Sequence, residues 1–245
     1  MIELRGIQKY YVSGKKIDRG ALFYALRGIN AVFKKGEVTA IFGNSGSGKT
    51  TIGNIVTGFE KQDEGYVYYD GSLERDSHFI RYVFQDPYIS LNATKDVEWH
   101  VETTAKFNGL DPYKIWEKLN VAGLRKEIYR LRTVEGLSGG ERQRLAFSIA
   151  VSQDPEYIVL DEPFSYLDSL NLFYMLQMIR DMSKAISFIY LDHDLNRCSF
   201  VSDYMYVLKG GEVIEEGKPE QIIKDPHTEF MRDTVKNMPD IKKRI

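Results

Sequence analysis

Gly43-Asn44-Ser45-Gly46-Ser47-Gly48-Lys49-Thr50 is the stretch on which the reading of this chain turns. Gly43 and Gly48 stand five positions apart and are followed by a lysine and a hydroxyl residue, the phosphate-loop pattern of nucleoside-triphosphate sites. Upstream, Glu37-Val38-Thr39-Ala40-Ile41-Phe42 is a mostly apolar run bounded by Gly36 and Gly43, as in a strand buried on both faces of a parallel sheet. Downstream, Ile52, Ile55 and Val56 recur at helical spacing, so a helix is predicted from Lys49 to about Thr57, with Gly58 as its stop. Such a strand delivers the loop to a helix N-terminus, where unpaired N–H groups and the helix dipole favour a polyanion. The motif assigns Lys49 to the outer phosphates and the Thr50 hydroxyl to a bridging Mg²⁺.

The bulk properties narrow the setting. A chain of 245 residues is long enough to bury a sizeable core. Cys198 is the single cysteine, so no internal disulfide is expected, which suits a reducing compartment. The 33 basic residues nearly balance the 35 acidic ones, so the electrostatic footprint of a nucleic-acid binder is missing and no nucleic acid is expected. No apolar run approaches the roughly eighteen residues of a membrane-spanning helix, and Met1 onward lacks the order of a signal peptide. The expected place is the cytosol, with any membrane association made through a partner protein.

Along the chain, Ile2-Glu3-Leu4 with Ile7 predicts a short antiparallel strand. Tyr10 and Tyr11 follow; a ring there either stacks on a base or packs, and packing is the commoner role. Val12 to Arg19, with Gly14 and three basic residues, reads as a loop. Strands are predicted at Tyr66–Tyr69, before an Asp70-Gly71 turn, and at Arg81–Phe84. Gln85 ends the latter, either facing the crevice where ligands of α/β sheets bind, within reach of Mg²⁺ and a water, or opening a turn led by Asp86-Pro87.

Some fifty residues of helical character follow, including Lys114 to Leu124 with Ile115, Trp116 and Leu119 on one face. They lead to Leu137-Ser138-Gly139-Gly140-Glu141-Arg142-Gln143-Arg144, where Ser138 and Glu141 have capping-box spacing. Gly139 and Gly140 beside that cap leave N–H donors for a second anion. Glu156–Leu160 is the next buried strand, closed by Asp161-Glu162, a pair suited to holding Mg²⁺ and to orienting or deprotonating a water, respectively. Ser165-Tyr166-Leu167-Asp168 then opens a helix. His193 follows the strand Ser187–Leu191 at the same sheet edge, placed to donate to a γ-phosphate oxygen. Gly210-Gly211 marks a hairpin, and a short helix with the basic ending Lys242-Lys243-Arg244 closes the reading.

In this order the motifs resemble those of the ATP-binding cassette family: phosphate loop, glutamine loop, signature, carboxylate strand and switch histidine. The resemblance covers nearly the whole chain. It implies an α/β fold, a P-loop NTPase (RecA-like) core with an antiparallel β subdomain and an inserted α-helical subdomain. As one cassette, residues 1–85 and 151–225 would form the core lobe, 86–150 the helical lobe and 226–245 a tail. The implied activity is ATP hydrolysis with Mg²⁺. The resemblance gives adenine stacking to Tyr11 and phosphate and Mg²⁺ contacts to Gly43, Asn44, Ser45, Gly46, Ser47, Gly48, Lys49, Thr50 and Thr51. Metal and water sensing fall to Gln85, the Mg²⁺ ligand is Asp161, the general base Glu162, and the γ-phosphate switch His193. Ser138, Gly139 and Gly140 would complete the ATP site of a second subunit, with Asp168 in the dimer-contact loop.

Phe84-Gln85-Asp86-Pro87-Tyr88-Ile89-Ser90-Leu91-Asn92 looks like the glutamine-loop region of the oligopeptide, dipeptide and nickel importer ATPases. That implies two permease subunits, an extracytoplasmic substrate-binding protein, and a place on the cytoplasmic face of the membrane. Departures from the pattern are Tyr166 where alanine is common and Asp192 where serine or threonine is common. The alternative is a soluble, non-transport cassette ATPase of the repair, translation or cluster-assembly kind.

Overall fold

The structure, a computed structural model, describes residues 1–13, 21–73 and 80–238. The basic ending and residues 14–19 of the expected loop lie outside them. In chain order the first elements are β1 (Ile2–Ser13), β2 (Ala21–Phe33), β3 (Val38–Phe42), α1 (Lys49–Thr57), β4 (Glu64–Tyr69) and β5 (Ile80–Val83). Next come α2 (Val97–Asn108), α3 (Pro112–Val121), α4 (Lys126–Tyr129), α5 (Gly139–Val151), β6 (Tyr157–Asp161) and α6 (Ser169–Met182). The last are β7 (Ser187–Asp192), α7 (Leu195–Val201), β8 (Tyr204–Lys209), β9 (Glu212–Gly217), α8 (Pro219–Lys224) and α9 (Glu229–Lys236). They fall into two compact units, Met1–Arg75 with Ile189–Ile245, and Asp76–Phe188.

The first unit holds an antiparallel sheet in the order β2-β1-β4. Here the sequence expectation needs correcting: β1 is not a short strand over Ile2–Ile7 but runs on through Val12 and Ser13, and β2 was not foreseen. The reason is a set of register shifts around Gly6 and Gly28, both with positive φ, which offset the period-two alternation by which a strand is recognised. In the other sheet of this unit the order runs β7-β3-β8-β9. β3 is buried at every residue and pairs in parallel with β8, Thr39 opposite Tyr204 and Phe42 opposite Val207. The β8–β9 hairpin turns at Gly210 (φ 59°) and Gly211 (φ 83°), as its sequence demands. Beyond it α9 is moored twice. Glu215 accepts N–H bonds from His227 and Thr228, and the Phe230 ring lies 6.1 Å from that of Phe42, the last residue of β3.

In the second unit β5 and β6 pair in parallel, with Tyr82 opposite Val159. α2, α3 and α5 pack together, and the helical stretch expected over 86–150 contains α2 to α5. α3 buries Ile115, Trp116 and Leu119, the face its spacing predicts. Phe147 of α5 centres an aromatic core, edge-on to Phe164 at 5.6 Å and stacked with Phe188 at 6.5 Å.

Candidate active site

Tyr11, the phosphate loop and His193 belong to the first unit; Gln85, Ser138 to Gly140, Asp161 and Glu162 belong to the second. In the first, β3 feeds Gly43 into a space no side chain could share, since a Cβ there would stand 2.3 Å from the Leu208 carbonyl oxygen. Gly48 adopts φ 106°, which only glycine takes readily. Lys49 is buried, and its Nζ donates to the Gly43 and Asn44 carbonyls at 2.7 and 3.1 Å, closing the loop on itself. α1, like the short α4 and α8, opens without a side-chain cap, whereas α2, α3, α5, α6, α7 and α9 each begin on an Asp, Ser or Thr that accepts an N–H. Ser47 Oγ is buried with no hydrogen-bond partner among the described residues, while Asn44, Ser45, Gly46 and Thr50 are exposed and Thr51 is half-buried. An uncapped helix start and an orphaned hydroxyl in a glycine loop fit a bound polyanion. Tyr11 is partly exposed; its hydroxyl donates to Glu60 at 2.7 Å and Lys9 lies over its ring.

His193 is half-exposed on the turn after β7. The residue before it, Asp192, is fully buried and densely bonded. Its Oδ1 accepts the backbone N–H groups of His193 (2.7 Å) and Asp194 (3.0 Å), and its Oδ2 accepts the Tyr190 hydroxyl (2.9 Å). Arg197 Nη1 stands 3.6 Å from Oδ2, and His193 Nδ1 stands 3.5 Å from Oδ1. Burial pushes the Asp192 carboxyl above the ordinary carboxylate range, against the pull of the Asp194 N–H and of Arg197. Burial likewise raises the Tyr190 hydroxyl and the Cys198 thiol well above their usual values.

In the second unit Asp161 ends buried β6, and Glu162 follows at φ 42°, a left-handed conformation uncommon for a non-glycine residue and held by its surroundings. Gln85 Nε2 donates to Glu162 Oε2 at 3.3 Å. Directly after Gln85, Asp86 caps a single 3₁₀ turn at Pro87–Ile89, the turn that one reading of that stretch expected. Ser138 and Glu141 form both halves of the capping box, Ser138 Oγ accepting the Glu141 N–H (3.2 Å) and Glu141 Oε2 accepting the Ser138 N–H (2.7 Å). Gly139 and Gly140 are pressed against Tyr166 and Leu167; a Cβ on Gly140 would come within 2.6 Å of the Leu167 side chain. Asp168 caps α6 through the Asn171 N–H.

Several participants escaped the sequence reading. The buried Tyr82 hydroxyl donates to Asp161 Oδ2 at 2.9 Å, a partnership set by the β5–β6 register, to which no local motif points. Gln143, inside the quoted motif, accepts the Tyr166 N–H and donates to Ser165, binding the start of α5 to the segment that leads to Asp168. Asp192 was visible only as an unusual residue, and its link to Arg197 became plain once α7 was in place.

Among the described residues, no three His, Cys, Asp or Glu side chains cluster so as to hold a metal alone. The sequence-predicted metal ligands, the Thr50 hydroxyl, the Asp161 carboxylate and the Gln85 amide, supply oxygen atoms. Hard oxygen donors with few carboxylates fit Mg²⁺, which commonly completes its shell with substrate phosphates and water.

A glycine loop opening an uncapped helix and a carboxylate pair ending a buried strand define a phosphate-loop nucleotide hydrolase. The model of the ABC transporter family matches residues 26–165, and the chain belongs to that family, as an ATPase cassette that uses ATP and Mg²⁺. It is 32% identical to the dipeptide transport ATP-binding protein DppF of Haemophilus influenzae, an alignment spanning 93% of this chain and 74% of that protein. It is 31% identical to the oligopeptide transport ATP-binding protein OppF of Streptococcus pyogenes serotype M1, over 92% of this chain and 78% of the other. These relatives agree with the likeness read in the residues around Gln85. Among solved structures it resembles the dimeric, post-hydrolysis state of the ATP-binding cassette MJ0796 bound to ADP and Pi, with a TM-score of 0.79 and 29% identity, over 89% of this chain and 99% of that one. The α/β phosphate-loop fold expected from the sequence is the fold of that cassette.

Proposed function

We propose that this chain is the ATP-hydrolysing subunit of a peptide importer and works as a dimer, with itself or a close paralogue, beneath two permease subunits. The observation that carries the catalytic part is Glu162, held in a strained backbone conformation beside Asp161 with the Gln85 amide on its carboxylate. In this reading the α1 N-terminus and Lys49 bind the phosphates, Tyr11 stacks on adenine, and His193 donates to the terminal phosphate. Thr50, Gln85 and Asp161 hold Mg²⁺, which when bound neutralises charge developing on the phosphoryl oxygens. Glu162 orients and deprotonates the attacking water. Ser138, Gly139 and Gly140 offer donors to the nucleotide of the opposing subunit, and Asp168 lies in the loop that meets it.

The dipeptide and oligopeptide relatives favour peptides over nickel as cargo. An extracytoplasmic binding protein would deliver that cargo, and the permeases would hold this subunit at the cytoplasmic face of the membrane. No helix among the described residues is long and apolar enough to cross a membrane, in keeping with attachment through partners. The test is Glu162→Gln: ATP binding should persist while turnover falls by at least about a hundredfold, the low end for a lost general base. A dimer should accumulate with ATP in size-exclusion chromatography. Turnover at the native rate would remove Glu162 from the role of base.

A further inference from the structure

Asp192 ties together two parts of the first unit that the proposed function gives to the terminal phosphate. Its backbone carbonyl accepts the N–H of Gly43, the first residue of the phosphate loop, at 3.4 Å. Its side chain accepts the N–H groups of His193 and Asp194 through one oxygen, fixing the turn that carries the histidine. A serine or threonine at this position would supply a hydroxyl for such a turn, but no charge. The carboxylate adds a buried anion, and the structure provides for it: the Tyr190 hydroxyl donates to the second oxygen and Arg197 stands 3.6 Å away as counter-ion. A buried carboxylate without such partners would be strongly destabilising.

The first oxygen is also the one that faces the His193 ring, 3.5 Å from Nδ1. That is within ionic reach and longer than a well-formed hydrogen bond. The carboxylate therefore meets the ring on its Nδ1 side.

We propose that Asp192 is a positioning residue for His193: its buried carboxylate registers the histidine turn against the phosphate loop and stands on the Nδ1 side of the ring, so that the opposite edge of the ring is the one offered to the terminal phosphate of the nucleotide. The proposal rests on His193 contacting that phosphate, and its test separates the two claims.

The full chain, labelled with nitrogen-15, is compared with Asp192→Asn and His193→Gln by long-range proton–nitrogen spectra of its histidine rings. His193→Gln identifies the resonance. Asp192→Asn retains an oxygen for the two backbone N–H groups, while it removes the charge and replaces the oxygen that accepts the Tyr190 hydroxyl with an amide nitrogen; the turn should survive and the His100 and His227 signals should stay in place. The His193 ring signals should shift, because a carboxylate no longer faces Nδ1. In parallel, the preference for ATP over ADP, read as the ratio of dissociation constants, should fall about tenfold in Asp192→Asn, the low end for loss of an outer-shell partner. It should fall at least as far in His193→Gln. If His193→Gln shows the loss and Asp192→Asn leaves either the ring signature or the preference unchanged, the role of Asp192 is overturned while that of His193 stands. If His193→Gln keeps the native preference, the histidine does not read the terminal phosphate and both claims fall.

Discussion

At the scale of single residues, the Tyr82 hydroxyl separates a ligand that is merely present from one that is held. The 2.9 Å bond from Tyr82 engages one oxygen of Asp161 and so orients the carboxylate to which the proposed function gives Mg²⁺. Outer-shell partners of this kind commonly account for 10- to 100-fold in metal affinity. Tyr82→Phe should therefore weaken Mn²⁺ binding to the ATP-loaded chain by about tenfold. ATP binding measured in EDTA should not change. Titration by electron paramagnetic resonance reads the effect directly, and an unaltered Mn²⁺ isotherm would show that Asp161 needs no help from β5.

Among the elements, α2 carries a device that no motif announced. His100 is buried, its Nδ1 lies 2.7 Å from the Asp96 carbonyl and its Nε2 accepts the Asn92 N–H at 3.0 Å. These partners require the neutral ring with its proton on Nδ1, and burial lowers the histidine pKa from the usual value of about 6.5. Because the folded value lies below the unfolded one, the stabilisation is complete above about pH 6.5 and is lost as pH falls through the folded value. The melting temperature should decline on acidification through that window, and His100→Gln should flatten the decline; equal slopes would exclude His100 as the cause. The contrast with α1 shows what sequence can disclose. The start and stop of α1 were readable at Lys49 and Gly58 because caps and spacing are local, and the same holds for the Ser138–Glu141 box. β2 was not readable because its bulges spoil alternation, and the Tyr82–Asp161 and His100–Asn92 bonds join residues whose closeness is created only by the fold.

On the scale of the whole molecule, the proposed dimer makes a demand that a single chain cannot meet. Lys49→Ala should disable the phosphate loop of its own chain. Ser138→Asp should keep an oxygen able to cap α5 while setting negative charge against the partner's nucleotide. Each variant alone should be inactive, and a mixture should recover part of the native ATPase rate, since one of the two composite centres in a mixed dimer would be intact. No recovery on mixing would argue that the signature does not act across subunits. The bracing of Phe42 by Phe230, with β3 paired to β8, carries a temporal implication: residues made early in translation wait for residues made late. A ribosome-tethered chain released only as far as Val201 has a phosphate-loop motif but no neighbour for its supporting strand on the β8 side. Stalled nascent chains of increasing length should acquire affinity for a fluorescent ATP analogue abruptly, once β8 has emerged and again when α9 follows. Until then the motif should be covalently complete yet unable to grip a nucleotide, so that recognition of the fuel is the last thing synthesis confers.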